Sequence, residues 1–271
     1  MGMKLKRGAY MKSRFLRKFL RLKDVRVAIA CGDIDCVYEI LHNSGVDNML
    51  TTPNRVAEMT KYLLKTMSLD ELLSKVTKIA DWMFDCMELP KEVVIPKNIT
   101  EIGVGCFSYC KSIEKVVFEI NSPVETIGLW AFEACEDLKV VDLGNCHKML
   151  EINADAFKNC TNLTDIILPP NLEWFAGFDH CTNLTNIVLP SKVKAIKSGA
   201  FWSCTALKSI TIPPSVKTIG HAAFCNCTSL KDVYYDGTKG QWKKIHIGEG
   251  NESLGNARLH FEDEDLSGGE Q

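Results

Sequence analysis

Twelve cysteines and six histidines are the side chains of this 271-residue chain best suited to nucleophilic or metal chemistry. A catalytic thiol needs a partnered base in an electropositive setting, and a structural zinc site needs two close pairs of ligands. The close pairs Cys31/Cys36 and Cys225/Cys227 have no second pair at zinc-finger distance, and the histidines are scattered. There is also no glycine-rich loop with the lysine that would cradle a phosphate. We therefore predict no catalytic residues, no metal site and no cofactor, so the chain is not expected to be an enzyme.

Six of the cysteines belong to one repeated pattern, in which a cysteine follows a phenylalanine by three residues. The intervals between these cysteines are 25, 25, 21, 23 and 23 residues, and apolar residues follow each cysteine after three, six and eight positions. A period of about 20–29 residues with Leu-x-x-Ile-x-Leu at its centre is typical of a leucine-rich-repeat solenoid. The six pairs are Phe107/Cys110, Phe132/Cys135, Phe157/Cys160, Phe178/Cys181, Phe201/Cys204 and Phe224/Cys227.

The equivalent positions of these cysteines place them inside the predicted solenoid. We expect reduced thiols that act as small apolar fillers, because parallel side chains in a stack rarely offer the crossed geometry of a disulfide. No apolar run of signal-peptide length follows the basic N-terminus, and no stretch approaches the ~20 apolar residues of a membrane span. Reduced thiols and the lack of such segments together predict a cytoplasmic protein.

Each repeat needs two extended segments to position its phenylalanine and cysteine. The first is the Leu-x-x-Ile-x-Leu strand, which Pro169, Pro190 and Pro213 close in three repeats. Proline lacks an amide hydrogen and therefore suits the end of a strand. The second segment ends, in most repeats, on an isoleucine five residues ahead of the phenylalanine. No coil can bury both apolar rows alone, but stacked coils can.

The stretches SVKTIGHAAFCNCTSLKDV and KVKAIKSGAFWSCTALKSITIPPSV resemble consecutive copies of the BspA-like leucine-rich repeat. The resemblance covers about residues 90–261, and the ending around Trp242 is similar to a C-terminal element of many bacterial members. It implies binding or adhesion rather than catalysis and does not name the partner. The stretch NLEWFAGFDHC is two residues short and lacks the Ile-Gly pair, so we expect an irregular coil from Leu172 to Phe178.

The predicted fold class is α+β, with a BspA-like leucine-rich-repeat solenoid preceded by a small all-α N-terminal domain. The basic, helical N-terminal domain is expected over residues 1–89. The solenoid, with six full coils and a C-terminal cap, is expected over residues 90–261 and opens with a strand near Val93. Residues 262–271 are expected to form an acidic disordered tail.

Two further features are predicted within the N-terminal domain. The region from Gly32 to Thr52 resembles a degenerate ankyrin-like helical hairpin. Ser68 and Glu71 form a capping-box pattern, which predicts a helix from Ser68 to Met87. We expect this helix to cap the open end of the solenoid, because terminal coils need a cover for their apolar interior.

The first 30 residues concentrate positive charge, with ten lysines or arginines and one acidic residue. Apolar residues recur among them at helical spacing, which predicts a basic amphipathic helix. Three interpretations stay open. The helix packs on its neighbours with its charges in water, contacts nucleic acid, or lies on a membrane surface or in a partner groove. The candidate basic patch consists of Lys12, Arg14, Arg17, Lys18 and Arg21.

The residue seven positions after each repeat cysteine is expected on one exposed face of the strands. It is apolar in several repeats, and exposed apolar surface marks partner sites, although β-branched residues also suit an exposed sheet. Two tryptophans in the phenylalanine turns form a second candidate contact, or else pad neighbouring turns. The candidate partner-binding residues are Val117, Asp142, Ile167, Val188, Thr211, Tyr234, Trp130 and Trp202.

These observations predict a non-catalytic protein-interaction module or scaffold that binds a protein partner through the strand face of the solenoid. The alternatives are a nucleic-acid or anionic-surface adaptor that uses the basic N-terminal helix, and a surface adhesin. Steep salt dependence and loss of binding after removal of residues 1–26 would identify the first alternative. Oxidised cysteines, measured by thiol titration, would favour the second.

Overall fold

The computed structural model of the chain describes Asp35 and residues 52–262. The candidate basic patch and the ankyrin-like hairpin (apart from Asp35 and Thr52) lie outside the described residues, and so does the predicted acidic tail beyond Glu262. The described helices are short. They are α1 (Thr52–Leu63), α2 (Leu69–Leu73), α3 (Lys239–Trp242) and α4 (Glu252–Gly255).

The helix predicted from Ser68 to Met87 is wrong over most of its length. Ser68 does cap α2, because its Oγ accepts a hydrogen bond from the Glu71 amide at 3.1 Å. The helix ends at Leu73, however, and the chain continues into the two-residue strand β1 (Lys78–Ile79). The apolar spacing of this stretch fits a solenoid coil as well as it fits a helix face.

Strands β1 to β16 form three parallel sheets. We call the largest the narrow sheet, because its eight strands have two residues each: β1, β3 (Glu101–Ile102), β5 (Thr126–Ile127), β7 (Glu151–Ile152), β9 (Trp174–Phe175), β11 (Ala195–Ile196), β13 (Thr218–Ile219) and β15 (His246–Ile247). The first wide sheet contains β2 (Glu92–Ile95), β4 (Lys115–Phe118), β6 (Val140–Asp142) and β8 (Asp165–Ile167). The second wide sheet contains β10 (Asn186–Val188), β12 (Ser209–Ile212), β14 (Asp232–Tyr235) and β16 (Arg258–Phe261).

The solenoid therefore has about eight turns, matching the eight strands of the narrow sheet, where the sequence predicted six full coils. One additional coil lies before residue 90, because β1 pairs with β3 in the same sheet. Another lies at the C-terminal end, where β15 and β16 each pair with the preceding coil. The predicted opening strand near Val93 is present as β2.

A stack of phenylalanine rings fills the turn side of the solenoid, which is the side that carries the Phe-x-x-Cys turns. Neighbouring ring centroids lie 5.0–5.3 Å apart in five of the six steps. At the remaining step, the ring centroids of Phe178 and Phe201 lie 6.1 Å apart. The Phe175 ring contacts both of these rings, with centroid distances of 5.2 and 5.1 Å. The phenylalanine stack consists of Phe84, Phe107, Phe132, Phe157, Phe178, Phe201 and Phe224, all fully buried.

The repeat cysteines have a second role besides filling space. Each thiol donates a hydrogen bond to the backbone carbonyl of the stacked phenylalanine one coil earlier, with sulfur–oxygen distances of 3.0–3.3 Å. Each of these carbonyls also accepts the backbone amide three residues later in its own coil, as Phe132 does from Cys135 at 3.3 Å, so the thiol uses the second lone pair of the oxygen. We call this set the thiol ladder: Cys110, Cys135, Cys160, Cys181, Cys204 and Cys227.

The last coil replaces a backbone partner with a side chain. In earlier coils the amide of a stacked phenylalanine donates to a backbone carbonyl of the next coil, as Phe201 does to Ala223 at 2.8 Å. The Phe224 amide instead donates to Oδ1 of Asn251 at 2.9 Å. The Asn251 amide group donates in turn to the carbonyls of Gly220 and Gly248 at 2.9 and 2.8 Å. One buried amide thus satisfies the backbone where the stack ends.

Candidate functional site

The strand register brings the predicted exposed row together in two groups. Val117 pairs with Asp142, which pairs with Ile167 on the first wide sheet. On the second wide sheet, Val188 pairs with Thr211, which pairs with Tyr234. The register also adds Val94 and His260 at the two ends of this row. Both escaped the sequence analysis, because they lie in the two terminal coils that lack the Phe-x-x-Cys pattern. We call these eight residues the strand row.

Exposure within the strand row is highest in its middle, although Val94 and Tyr234 toward its ends are also exposed. Ile167 is 54% exposed and Val188 is 68% exposed, although both are β-branched and apolar. Val117, Asp142 and Thr211 are half-buried. Since Ile167 and Val188 occupy the same position in consecutive coils, the largest apolar exposure of the row lies where the two wide sheets meet.

The wide sheets are separated at the short coil that the sequence predicts to be irregular. Strand β8 pairs with β6 alone and β10 pairs with β12 alone, so no ladder joins the two sheets. The narrow sheet continues through the same coil, because β9 pairs with both β7 and β11. The predicted stretch from Leu172 to Phe178 itself keeps regular pairing through β9, and the break instead separates β8 from β10 on the wide-sheet side.

At the C-terminal end of the strand row, an aromatic residue has polar neighbours. The Tyr234 ring stacks on the His260 ring with centroids 4.6 Å apart, and His260 Nε2 lies 2.8 Å from Asp232 Oδ1. Tyr234 is 44% exposed. Its ring orientation is therefore held by a contact within the chain, while part of its surface remains accessible.

Charged residues at the edge of the first wide sheet are already paired. The ammonium groups of Lys139 and Lys91 lie 2.8 and 2.6 Å from the Glu114 carboxylate. Hydrogen bonds from these two lysines, Lys139 first, lower the Glu114 pKa from 4.5 to about 2. Lys115 pairs with Glu92 at 2.9 Å. Because these charged groups already have partners within the chain, the exposed apolar residues are the feature of this side without one.

Trp130 and Trp202 do not form one site. Trp130 lies two residues before its stacked phenylalanine, has a left-handed φ of 57° and is half-buried. Trp202 lies directly after Phe201, is 46% exposed and has no ring contact with Trp130 among the described residues. Trp130 instead meets Trp82, with ring centroids 6.3 Å apart and ring planes inclined by 34°. Trp82 was missed because the sequence analysis assigned it to a helix.

The Trp82–Trp130 pair borders a shallow cavity of about 450 Å³ on the turn side, which we call the turn pocket. Half-buried Asp85 and Glu133 contribute carboxylates to its lining. Burial raises the pKa of both carboxyl groups above their ordinary values. The remaining lining residues are Cys86, Ser108 and Tyr109.

A second groove, of about 850 Å³, runs along the narrow sheet beside Trp174. The Lys194 ammonium lies 5.8 Å from the centre of the Trp174 ring and 2.5 Å from the Glu173 carboxylate. Lys192 donates to Asn171 Oδ1 at 2.7 Å, and Lys217 donates to a backbone carbonyl at 3.0 Å. The lysines of this groove therefore have partners within the chain.

The thiol ladder is not arranged for nucleophilic chemistry. Burial raises the pKa of every ladder thiol, to about 12 for Cys110 and for Cys227. A neutral, buried thiol is a poor nucleophile and a poor metal ligand. Within residues 52–262 and at Asp35, no three cysteine, histidine or acidic side chains are grouped to hold a metal ion. None of the described helices is long and apolar enough to cross a bilayer.

Comparison with solved structures returns other leucine-rich-repeat proteins. The leucine-rich-repeat protein of T. pallidum is 27% identical, with a TM-score of 0.49, over 56% of this chain and 82% of that one. A leucine-rich cell surface protein of Faecalibacterium prausnitzii is also 27% identical with a TM-score of 0.49, over 64% of this chain and 54% of that one. The present chain thus matches about half the length of the latter protein. Among curated proteins, none matches the chain.

The family assignment rests on a profile described as a BspA-type leucine-rich-repeat region with six copies. This profile matches residues 46–139 and 141–246, which is most of the chain. The match begins well before residue 90, in agreement with the coil that β1 opens. By the match, the repeated sequence and the solenoid fold, the chain belongs to the BspA-type leucine-rich-repeat family.

Proposed function

We propose that the solenoid is a non-catalytic protein-binding module, with the strand row as its contact surface. The observation that carries this proposal is the exposure of Ile167 and Val188, at 54% and 68%, in equivalent positions of consecutive coils. Exposed apolar side chains grouped on a folded surface mark partner sites, because their burial on binding is favourable.

The break between the wide sheets supports this location. In a continuous sheet, side chains at the strand row are flanked by neighbours on both adjacent strands, and such neighbours reduce exposure. Ile167 and Val188 each have a paired neighbour on one side alone, since β8 and β10 lie at the edges of their sheets. The short coil thus supplies both the exposed apolar residues and their position in the middle of the solenoid.

Tyr234 supports a second contact within the same surface. Tyrosine is enriched at interface hot spots, since its ring buries apolar area while its hydroxyl forms hydrogen bonds. The His260 ring stacked beneath it limits its freedom, which lowers the entropy that binding must remove. Asp232 and His260 provide polar neighbours at the rim of the contact.

The thiol ladder supports the proposal that the chain works in a reducing, cytoplasmic setting. Every ladder thiol uses its hydrogen in a bond to a backbone carbonyl. Forming a disulfide would remove that donor and leave the carbonyl with its backbone amide partner alone, at the loss of one buried hydrogen bond. Titration of free thiols in the protein purified from its native cell tests this setting, and oxidised ladder thiols would contradict it.

The test of the binding surface compares two double variants of the full chain. Ile167→Ser with Val188→Ser changes the strand row, whereas Ile120→Ser with Leu150→Ser changes exposed apolar residues outside it. Affinity purification from the native cell, read by mass spectrometry, should recover the same partner with the unaltered chain and with the control variant. The strand-row variant should lose that partner.

Recovery of the partner by the strand-row variant would contradict the proposed surface. Circular dichroism and thermal unfolding of both variants serve as the folding control, since exposed substitutions should leave stability within about 0.5 kcal/mol. A Tyr234→Ala variant then tests the second contact. Titration with the purified partner should show weaker binding without any change in the unfolding transition.

A further inference from the structure

The turn pocket depends on small residues in one coil between large residues in its two neighbours. Trp82 and Trp130 take the position two residues before the stacked phenylalanine in the first and third coils, and Gly105 takes it in the second. A Cβ atom on Gly105 would lie 2.2 Å from the Trp82 ring. The missing side chain therefore lets two indoles from coils that are not adjacent come together.

The position directly after the stacked phenylalanine also holds a large residue in the first and third coils and a small residue in the second. Asp85 and Glu133 occupy it in the first and third coils, and the small Ser108 occupies it in the second. All three residues line the turn pocket, and the 47%-exposed Tyr109 forms another part of its wall. The result is a shallow cavity with aromatic rings along its lining and a carboxylate from each of two coils.

Neither carboxylate forms an ion pair with another described residue, whereas several other carboxylates of the turn side do. Lys158 lies 3.7 Å from Asp155 and 3.2 Å from Asp179, and Lys111 lies 2.7 Å from Glu136. Among the described residues, neither Asp85 nor Glu133 has a lysine, arginine or histidine within 4.0 Å. The more distant Lys158 charge acts on Glu133 without outweighing burial, and Asp85 accepts a long hydrogen bond of 3.5 Å from the Cys86 thiol. Both carboxyl groups have a raised pKa, and burial is the main cause, so a bound cation would offset an existing cost.

We propose that the turn pocket binds an arginine side chain of a partner polypeptide. A guanidinium group stacks on indole and phenol faces and donates hydrogen bonds in a planar fork that matches carboxylates. The shallow opening suits a side chain presented by another polypeptide surface. This site lies on the turn side, apart from the strand row, so the failure of either proposal leaves the other intact.

The test uses a blocked Gly-Arg-Gly tripeptide and its matched Gly-citrulline-Gly control. Citrulline keeps the shape of arginine and removes its charge, so it separates cation binding from simple packing. The full chain has five tryptophans, and their indole N–H signals can be followed by two-dimensional NMR during titration. We expect the arginine peptide to shift the Trp82 and Trp130 signals and to bind at least about tenfold more tightly than the citrulline peptide. The signals of Trp174 and Trp202 should stay unchanged.

Two variants then test the carboxylates. Asp85→Asn with Glu133→Gln removes both charges and keeps the side-chain size, and we expect it to weaken binding of the arginine peptide at least about tenfold. Glu136→Gln is the matched control, because Glu136 is paired with Lys111 outside the pocket and its loss should leave the affinity unchanged. Equal binding of the citrulline peptide, shifts confined to other tryptophans, or an unaltered affinity in the double variant would each overturn the proposal.

Discussion

The turn side and the wide-sheet side of the solenoid respond differently to the shortest coil. On the turn side, the phenylalanine stack and the thiol ladder continue through it, because Phe175 fills the wider step between Phe178 and Phe201. On the other side, the same coil separates the strands into two sheets. A coil with two residues fewer therefore keeps its interior contacts and loses its surface ladder.

The interior and the exposed face of a coil are therefore under separate structural constraints. The interior needs a ring and a thiol at fixed positions, since each packs on or bonds to the neighbouring coil. The exposed face tolerates a break, because water can satisfy the backbone groups at the edges of the two wide sheets. The proposed partner surface occurs at the break, where Ile167 and Val188 are left exposed.

Alkaline pH should lower the free energy of unfolding through the thiols of the turn side, and this is the greatest change that we predict. The folded-state pKa of Cys110 and of Cys227 is raised from 9.0 to about 12, so the folded protein holds these protons more tightly than the unfolded chain. The contribution of each thiol is fully present below pH 9 and is lost as pH rises through about 12, by about 4 kcal/mol over the whole shift of three units. Urea unfolding between pH 8 and pH 11 measures the part of this loss that occurs below pH 11.

A non-ionising variant is the control for the alkaline loss. Cys110→Ser keeps a hydrogen-bond donor and removes the titrating thiol, so its stability should fall less steeply above pH 9. Equal slopes for the variant and the unaltered chain would contradict the assignment.

At acid pH, the free energy of unfolding should depend on a charged residue of the wide-sheet side instead. The lowered pKa of Glu114, about 2, means that its contribution is present above pH 4.5 and is lost as pH falls toward 2.

The second effect contrasts ring removal with a surface change. Phe157→Ala should cost about 3–5 kcal/mol in the free energy of unfolding, because it opens a cavity in the middle of the phenylalanine stack. Ile167→Ala on the strand row should stay within about 0.5 kcal/mol. Urea unfolding of both variants checks the contrast, and similar losses would show that the two sides contribute alike.

The third effect tests whether a ladder thiol acts as a donor or as a filler. The Cys160 thiol lies 3.1 Å from the Phe132 carbonyl, which also accepts the Cys135 amide at 3.3 Å. Cys160→Ala removes the thiol hydrogen bond and leaves a small cavity, which together should cost about 1–3 kcal/mol. Cys160→Ser keeps a donor and should be the less destabilising of the two. If serine is the more destabilising, the apolar character of sulfur outweighs its hydrogen bond.

The smallest effect is expected at the end of the stack. Asn251→Ala removes the acceptor of the Phe224 amide and the donor to two carbonyls, at a cost of about 1–2 kcal/mol. Amide hydrogen exchange should become faster at Phe224, while amides of the central coils keep their protection. Unchanged exchange at Phe224 would show that water replaces the side chain without loss.

The repeat offsets were sufficient to predict the solenoid and six of the eight residues of the strand row. Side chains at equal offsets must share a register when coils stack, so Val117, Asp142 and Ile167 could be placed side by side from sequence. The helix predicted from Ser68 to Met87 failed because a short apolar stretch fits more than one period. The first coil was hidden by that assignment.

The parts that escaped prediction depend on contacts between coils. The thiol hydrogen bond joins Cys110 to the carbonyl of Phe84, which lies in the coil that the sequence analysis did not identify. The turn pocket forms because Trp82 and Trp130 come together across the coil of Gly105. The local sequence around either tryptophan does not predict this contact. Phe175 fills the slot that other repeats give to isoleucine, and its ring contacts were visible in three dimensions alone.

Asn251 has a consequence for the growth of such molecules. A stack of like coils has no inherent end, and a bare terminal coil is a template on which another chain could elongate. The amide of Asn251 occupies the hydrogen-bonding groups that a ninth rung would use on the turn side. Asn251 therefore marks the end of the regular stacking of coils. Duplicated coils inserted ahead of it would lengthen the protein and keep its ending, whereas the same coils added after it would find the Phe224 amide and the Gly220 carbonyl already bonded to Asn251.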